Sequence, residues 1–596
     1  MSTLDHPHLG PILGVRDEGL TVYRGIPFAH VPRRFARSTL QTSLEARWTL
    51  GGMFDATKAG PNSVQPFESP RLDAGEQSIP TDLIAPEEGR NQSEHDCLNL
   101  TVYVPNLRAA ETAEGRAPVA KLPVLVFLHG GAFIWGSGDR SFYAPETLLA
   151  QAIEADKPLI LVTANYRLGA LGYLHSPTAR DGDGELLLPP NNGFHDQTVL
   201  FDWVKAYIAG FGGDPGNITT IGQSAGAESL SIHNLLPKYA DMPEAERPYR
   251  KSILVSGSLL CMPAMDPGQH QREFVRIAKR LGSKTTGRTT TELAHDLINQ
   301  ADVSVFRDLG WHGTPCLETE MLPYREASLL TILGSGVNYR PRDTYYQPTK
   351  RWVQEQIVSS AKFDGGVTYH AVKSNKSRRQ DHTRAFRELA EKHLRQSIAE
   401  DLFDLYGIYL NTDDDAALRA INQLETDLSF ILPTIYEAMG AAREGSFGVP
   451  IDIQHMLDGP PETTRTYLQL WQLPTPFDGL LEPGKYANHT YDIVSFFGAF
   501  EDRLDITQQL VIREWRSKLI DFICLGGEAM GWKPWTEDDG HATVVDLDGM
   551  RTLGRDDYMG PRTRLGRLIE IGERINPRHG LDMLFDRVVR PYLFES

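Results

Sequence analysis

Ser224 stands at the centre of Gly222-Gln223-Ser224-Ala225-Gly226, with a glycine two residues away on each side. A serine hydroxyl is a weak nucleophile and acts only when it is presented sharply and served by a base. Glycines at both flanks allow a turn too tight for side chains. Set between a strand and a helix, such a G-x-S-x-G turn lifts the hydroxyl clear of a sheet. It also places it at a helix N-terminus, where backbone N–H groups favour developing negative charge. The chemistry would be nucleophilic attack through a covalent intermediate. The plainer alternative is a helix start that needs small residues. A second candidate is "FLHGGAF", Phe127 to Phe133. Its glycines would let backbone N–H groups approach a substrate oxygen as that oxygen gains charge. Its plainer alternative is a strand-ending turn.

The surrounding elements must hold these two loops together. Thr219, Thr220 and Ile221 favour a strand, and Ala225, Ala227, Glu228 and Leu230 favour a helix, so the serine falls at the junction. "LPVLVFLHGG" (122–131) is a continuous apolar run ended by glycines, as expected of a strand buried on both faces of a parallel sheet. "PLILVTANYRLG" (158–169) and "KSILVSGS" (251–258) read the same way. "LNLTVYVP" (98–105) alternates and predicts a half-exposed strand, and "GPILGVRDEGLTVYRGIPFA" predicts two strands about Asp17-Glu18-Gly19. "QTVLFDWVKAYIAGFGG" (197–213) has helical spacing and a terminal glycine. Residues 61–95 are polar and rich in Pro, Glu and Gly, and predict a long surface loop. Strands alternating with helices give the α/β class with a large, mostly parallel sheet. From 268 to 443 the pattern turns helical, with "QREFVRIAKRLG" and "HTRAFRELAEKHLRQ" amphipathic. That segment is expected as an insertion over the site within a single domain of 1–596.

The 596 residues are 41% hydrophobic and 23% charged, ordinary for a globular chain. A net charge of −18 lacks the basic face that nucleic acid or an anionic membrane requires. No basic start followed by an apolar run opens the sequence, and no stretch has the apolar length of a membrane span. Cys97, Cys261, Cys316 and Cys524 are scattered and form no C-x-x-C pair, so neither a zinc nor a redox motif is visible. A cytoplasmic location is expected, and the sequons at Asn91, Asn99, Asn217, Asn375 and Asn488 are then chance matches.

The sequence resembles the type B carboxylesterase/cholinesterase family of α/β-hydrolases. The resemblance runs through "YRGIPFA" (23–29), "DCLNLTVYVP" (96–105), "LHGGAFIWGSG" (128–138), "NYRLGALGYL" (165–174), "FGGDPGNITTIGQSAGAES" (211–229) and "YANHTYDIVSFFG" (486–498). It implies the order serine, acid, histidine. The histidine is implied at His489 in "ANHTYDIVSFF", with Asp492 three residues on; His455, His541 and His579 lack that surrounding pattern. The acid is implied at Asp364 in "KFDGG", where the family usually has glutamate before glycine. Glu444 in "REGSFG" is the rival. Ser224 would attack an ester, His489 would carry the proton, and Asp364 would hold the imidazole. The N–H groups of Gly131, Ala132 and Ala225 would form the oxyanion hole. No metal or cofactor is needed. The expected partner is a small-molecule ester, and a homo-oligomer stays open.

The sequence departs from the family in informative places. Ser63 stands where secreted members carry the cysteine that pairs with the one in "DCL", which leaves Cys97 without that partner and the lid-like loop unstapled. This disfavours an interfacial lipase. No tryptophan lies between Trp48 and Trp135, and Gln223 replaces the cholinesterase glutamate; both features disfavour a quaternary ammonium substrate. The resemblance also implies a glutamate–arginine bridge from the "SEHDCL" motif to Arg24, at a spacing that His95 alters. Two function classes follow. One is a serine hydrolase, with lactone opening or acyl transfer as variants on the same residues. The other is a non-catalytic binding protein like the neuroligins. A surviving serine, base, acid and oxyanion loop favours the first.

Overall fold

The apolar run 122–128 forms a strand whose side chains divide between two cores. Val124, Val126 and Leu128 enter one, Leu125 and Phe127 the other. A period of two with both phases buried requires helices on both faces. Phe194 and Val199 of the helix Asn192–Tyr207 cover the first face, and Ile512, Trp515 and Leu519 of the helix Ile506–Leu525 cover the second. Each such buried side chain contributes roughly 1.5–3 kcal/mol. The structure is a computed structural model. It describes residues 1–17, 19–44, 49–50, 52–76, 78–106, 121–258, 261, 264–299, 302–309, 313–317, 321, 351–375, 381–443, 464–536, 538–576 and 580–594.

In chain order the strands are β1 (Ser2–His6), β2 (Gly10–Arg16), β3 (Leu20–Pro27), β4 (Ala29–His30), β5 (Thr39–Leu40), β6 (Thr49–Leu50), β7 (Met53–Asp55), β8 (Asn99–Pro105), β9 (Leu122–Leu128), β10 (Ile160–Ala164), β11 (Gly213–Gln223), β12 (Lys251–Val255), β13 (Glu355–Ala361), β14 (Arg465–Trp471), β15 (Ala542–Asp546) and β16 (Gly549–Leu553). β4 and β5 pair only with each other, and β1 pairs β2. The main sheet runs β16-β15-β14-β13-β12-β11-β9-β10-β8-β3-β2-β7-β6. From β10 through β9, β11, β12, β13 and β14 to β15 every pairing is parallel. This is the α/β-hydrolase fold expected above. Parallel strands place all their C-terminal ends at one edge, where ligand sites of open α/β sheets form. The loops after β9, β11 and β13, and the segment following β14, therefore converge there.

The structure corrects several expectations. β8 is buried almost throughout rather than half-exposed, because it lies inside the sheet between β10 and β3. The polar stretch 61–95 contains a helix, Ser69–Glu76, and its two ends are joined by a bridge between Asn62 and Gln92. The helix expected from 197 begins earlier, at Asn192, and ends at Tyr207; a 3-10 turn then runs to Phe211, and Gly212 takes φ 90°. Segment 268–443 is not wholly helical. The central strand β13 divides it, with Pro267–Arg280 before and His382–His393 after. Glu94 pairs with Arg34 rather than Arg24, through two hydrogen bonds of 2.5 and 2.8 Å. Arg24 instead donates its backbone N–H to the Ala56 carbonyl.

Candidate active site

β11 ends at Gln223 and the helix Ala225–His233 begins one residue after it, so Ser224 alone makes the turn. Its backbone sits at φ 54° and ψ −121°, a region that costs a non-glycine residue about 1–3 kcal/mol. Neighbours on all sides hold it there. The Ser224 N–H donates to the Val255 carbonyl at the end of β12 (2.8 Å), and the Ser224 carbonyl accepts from the Glu228 N–H (2.9 Å). The flanking glycines are required by close approach. A Cβ on Gly222 would lie 2.4 Å from the Gly226 carbonyl oxygen, and one on Gly226 would lie 2.2 Å from that of Leu128. The turn is thereby pressed against the end of β9, where the second glycine-rich loop starts.

That loop has unusual backbone at three successive residues: Gly131 at φ 103°, Ala132 at 50° and Phe133 at 59°. The Gly131 carbonyl closes the turn by accepting from the N–H groups of Ile134 and Trp135. Among the described residues, the N–H groups of Gly131 and Ala132 have no acceptor. The loop abuts the serine, since a Cβ on Gly130 would meet the Ser224 Cβ at 2.9 Å. Ala225, the first residue of the helix, has a backbone N–H of the kind that no intrahelical carbonyl reaches. The glycine loop therefore meets the serine at Gly130, and Ala225 follows the serine directly.

Asp364 lies three residues beyond β13, and His489 just before the helix Tyr491–Phe497. A parallel bridge between Phe363 and Asn488 joins their neighbours, with the Phe363 N–H donating to the Ala487 carbonyl at 3.0 Å. His489 Nδ1 lies 2.8 Å from Asp364 Oδ1. The other oxygen, Oδ2, accepts from the Ala361 N–H at 2.7 Å. Asp364 is 0% exposed and His489 3%. A carboxylate fixed at one oxygen by backbone holds the Nδ1–H tautomer of the imidazole and leaves Nε2 with its lone pair. Glycine follows Asp364 because a Cβ on Gly365 would meet the Asn422 carbonyl oxygen at 2.5 Å. The Gly365 N–H donates to Thr426 Oγ1 at 2.8 Å, so the helix Asp414–Thr426 braces the acid loop. Phe430, in the π-turn that follows, stands edge-on to His489 at 5.3 Å between ring centres. Glu444, the rival acid, and His455 and His579 lie outside the described residues.

Two further carboxyls lie near this pair, and sequence reasoning gave neither a role. Glu425 Oε1 accepts from Thr368 Oγ1 at 2.6 Å, and Oε2 from Asn422 Nδ2 at 2.8 Å. Burial pushes it up to about 7, against those hydrogen bonds, and the Asp364 charge adds to the rise. Asp492 accepts from the Ile493 N–H at 2.8 Å and from Ser256 Oγ at 3.4 Å. Burial and then the Asp364 charge push it up to about 7. Asp492 carried a signal in its spacing from His489; Glu425 had none in its own segment. A third unforeseen contact belongs to Gln223, whose Nε2 lies 3.0 Å from His489 Nε2 and 2.7 Å from Thr490 Oγ1. Among the described residues no cluster of His, Cys, Asp and Glu has metal-holding geometry.

Comparison with known proteins gives the family and the fold. The model of the carboxylesterase family matches residues 4–509. Lipase 3 of Yarrowia lipolytica is 26% identical over 490 residues, covering 81% of each chain. The para-nitrobenzyl esterase of Bacillus subtilis is 31% identical over 293 residues, 49% of this chain and 51% of that protein. A solved PNB esterase structure superposes with a TM-score of 0.62 at 21% identity, over 95% of this chain and 99% of that one. At that identity the superposition speaks for the fold alone.

Proposed function

The chain belongs to the carboxylesterase family, and we propose that it hydrolyses carboxylic esters with Ser224 as nucleophile, His489 as general base and acid, and Asp364 as the carboxylate that orients the imidazole. One observation carries the reading. The 2.8 Å contact from His489 Nδ1 to Asp364 Oδ1 lies at the same sheet edge as the strained turn at Ser224. A buried imidazole oriented by a carboxylate, close to a serine held in a forced turn, is the arrangement that acyl transfer needs.

The steps follow from the roles. His489 Nε2 takes the Ser224 proton as Oγ attacks the ester carbonyl carbon. The carbonyl oxygen becomes an oxyanion and receives hydrogen bonds from the N–H groups of Gly131, Ala132 and Ala225; each such donor is worth roughly a hundredfold or more in rate. The tetrahedral centre collapses, and the imidazolium gives its proton to the departing alkoxide. Water then enters, loses a proton to His489 and releases the acid from Ser224. Small-molecule esters are the substrate class in this reading, in keeping with the printed name of the para-nitrobenzyl relative. A cytoplasmic location belongs to the same proposal, in keeping with four cysteines that form no disulfide.

The decisive test is Ser224→Ala. The folded variant should lose both labelling by a fluorophosphonate probe and hydrolysis of p-nitrophenyl esters, with its melting temperature preserved. Wild-type labelling of that variant would end the assignment.

A further inference from the structure

The lone pair on His489 Nε2 is the group that must receive the Ser224 proton, and it is already engaged. Among the described residues its hydrogen-bond partner is the Gln223 side chain, with the two nitrogens 3.0 Å apart. The orientation of that amide follows from its surroundings. Asp364 fixes the imidazole proton on Nδ1, so Nε2 can only accept, and the amide group facing it must be the NH2. The second N–H of that NH2 donates to Thr490 Oγ1 at 2.7 Å. The amide oxygen points the other way, into the space beside Gly130, where it would lie 2.2 Å from a Cβ at that position. Gly130 starts the oxyanion loop. The Gln223 side chain therefore spans from the oxyanion loop to the base, directly behind the nucleophile.

Thr490 gives a second and separate indication. It holds φ at 71°, where a β-branched residue is a rare and strained occupant. That backbone places its hydroxyl oxygen against the Gln223 amide and not against solvent, since Thr490 is fully buried. A buried hydroxyl on a strained backbone thus fixes the buried amide that faces the imidazole nitrogen.

From this we infer that Gln223 is a positioning residue that caps His489 in the resting protein and must release Nε2 before Ser224 can be deprotonated. The inference rests on the roles proposed above for Ser224 and His489. The exchange is balanced: one N–H···N bond from the amide breaks, one O–H···N bond from the serine forms, and no proton is transferred until attack. One side chain thus touches both the base and the start of the loop that would receive the substrate oxygen. The charged or titratable groups around the imidazole are Asp364 from the loop after β13, Asp492 from the helix Tyr491–Phe497 and Glu425 from the helix Asp414–Thr426. A neutral amide on the fourth side adds no further negative charge to that set.

Two variants test the cap, each read by the rate of fluorophosphonate labelling and by kcat/KM against pH on an activated ester, with thermal melting as the folding control. Gln223→Met keeps the bulk and removes both donors. It should label about two- to tenfold faster, the span that the loss of one competing net hydrogen bond supports. Gln223→Glu puts a carboxylate at the same nitrogen, which favours the imidazolium, and should move the acidic limb of kcat/KM up by about one pH unit or more. Should the methionine variant fail to fold, Thr490→Val removes the amide's other anchor and should also speed labelling. A folded Gln223→Met or Thr490→Val that labels at the wild-type rate or slower overturns the cap. An acidic limb left in place by Gln223→Glu does so as well. Labelling of Ser224→Ala would instead show that the nucleophile was misassigned, an outcome distinct from either of these.

Discussion

Asp364 has two oxygens and two obligatory donors, the Ala361 N–H and the His489 ring N–H. An asparagine offers only one acceptor oxygen, so Asp364→Asn must turn an amide N–H toward one of them. If the imidazole loses, it adopts the wrong tautomer and kcat falls by roughly a thousandfold or more. If Ala361 loses, a buried N–H is left unsatisfied at a cost of about 1–3 kcal/mol. The expected result is a nearly inactive enzyme with a modestly lowered melting temperature, measured on a small activated ester. Glu425 and Asp492 support a prediction of a different kind. Both titrate near 7 when folded, above their ordinary values of 4.5 and 3.8. Between those values and about 7 the folded chain holds protons that the unfolded chain has released. Stability from these groups is therefore complete at low pH and is lost as pH rises through 7, by roughly 3–4 kcal/mol each. Glu425→Gln, neutral at every pH, should flatten the decline of melting temperature between pH 5 and 8; an undiminished slope would show that Glu425 does not titrate in that window. Ser224 was legible in the sequence because its neighbours 222 and 226 declare the turn. The Gln223–His489 contact was not, because 266 residues separate its partners and neither position carries a local signature of it.

The elements divide by how far their surroundings reach along the chain. β9 and β10 were readable because a continuous apolar run bounded by glycine has few other homes than the middle of a parallel sheet. β8 misled because an alternating pattern describes a strand with one wet face, while the sheet extends beyond β8 to β3 and β2 and its flanking layers bury both faces. The acid loop was placed through its resemblance to the family's acid segment. Its brace, Thr426 of the helix Asp414–Thr426, comes from 61 residues away and could not be read. The turn at Ser224 gives the sharpest test at this scale. Gly226→Ala puts a methyl group 2.2 Å from the Leu128 carbonyl oxygen and 2.7 Å from that of His129, both backbone atoms of β9 and its loop. Leu128 cannot retreat without disturbing pairing to β10 and β11. Overpacking of that kind costs about 1–3 kcal/mol or more. The variant is expected to melt several degrees lower and to lose most of its activity; retention of both would show that the turn is looser than its backbone angles imply.

At the scale of the molecule, the cysteines test the compartment. Cys97, Cys261 and Cys316 are buried, Cys524 is half-buried, and none of the four forms a disulfide in the structure. Burial pushes Cys97 up to about 12, with a hydrogen bond to Ser63 acting the other way, so the residue in the place of the family's second cysteine touches the first without bonding to it covalently. Cys524 is pushed up to about 11, again by burial. Thiolates are the reactive form, so the native protein should react slowly with a disulfide reagent, while denaturant without reductant should release four thiols. A native disulfide found by mass spectrometry would contradict a reducing compartment.

The bridge between Phe363 and Asn488 has a consequence for how this machinery comes apart. It ties the acid loop to the histidine segment by backbone, while Ser224 is tied elsewhere, to the ends of β9 and β12. Histidine and aspartate are thus tied by backbone, whereas the histidine is tied to the serine's turn through the Gln223 side chain. Whatever loosens this edge of the sheet without melting it will part that side-chain tie before the backbone one. His489 and Asp364 will still be matched, and the Ser224 hydroxyl will be out of register with them.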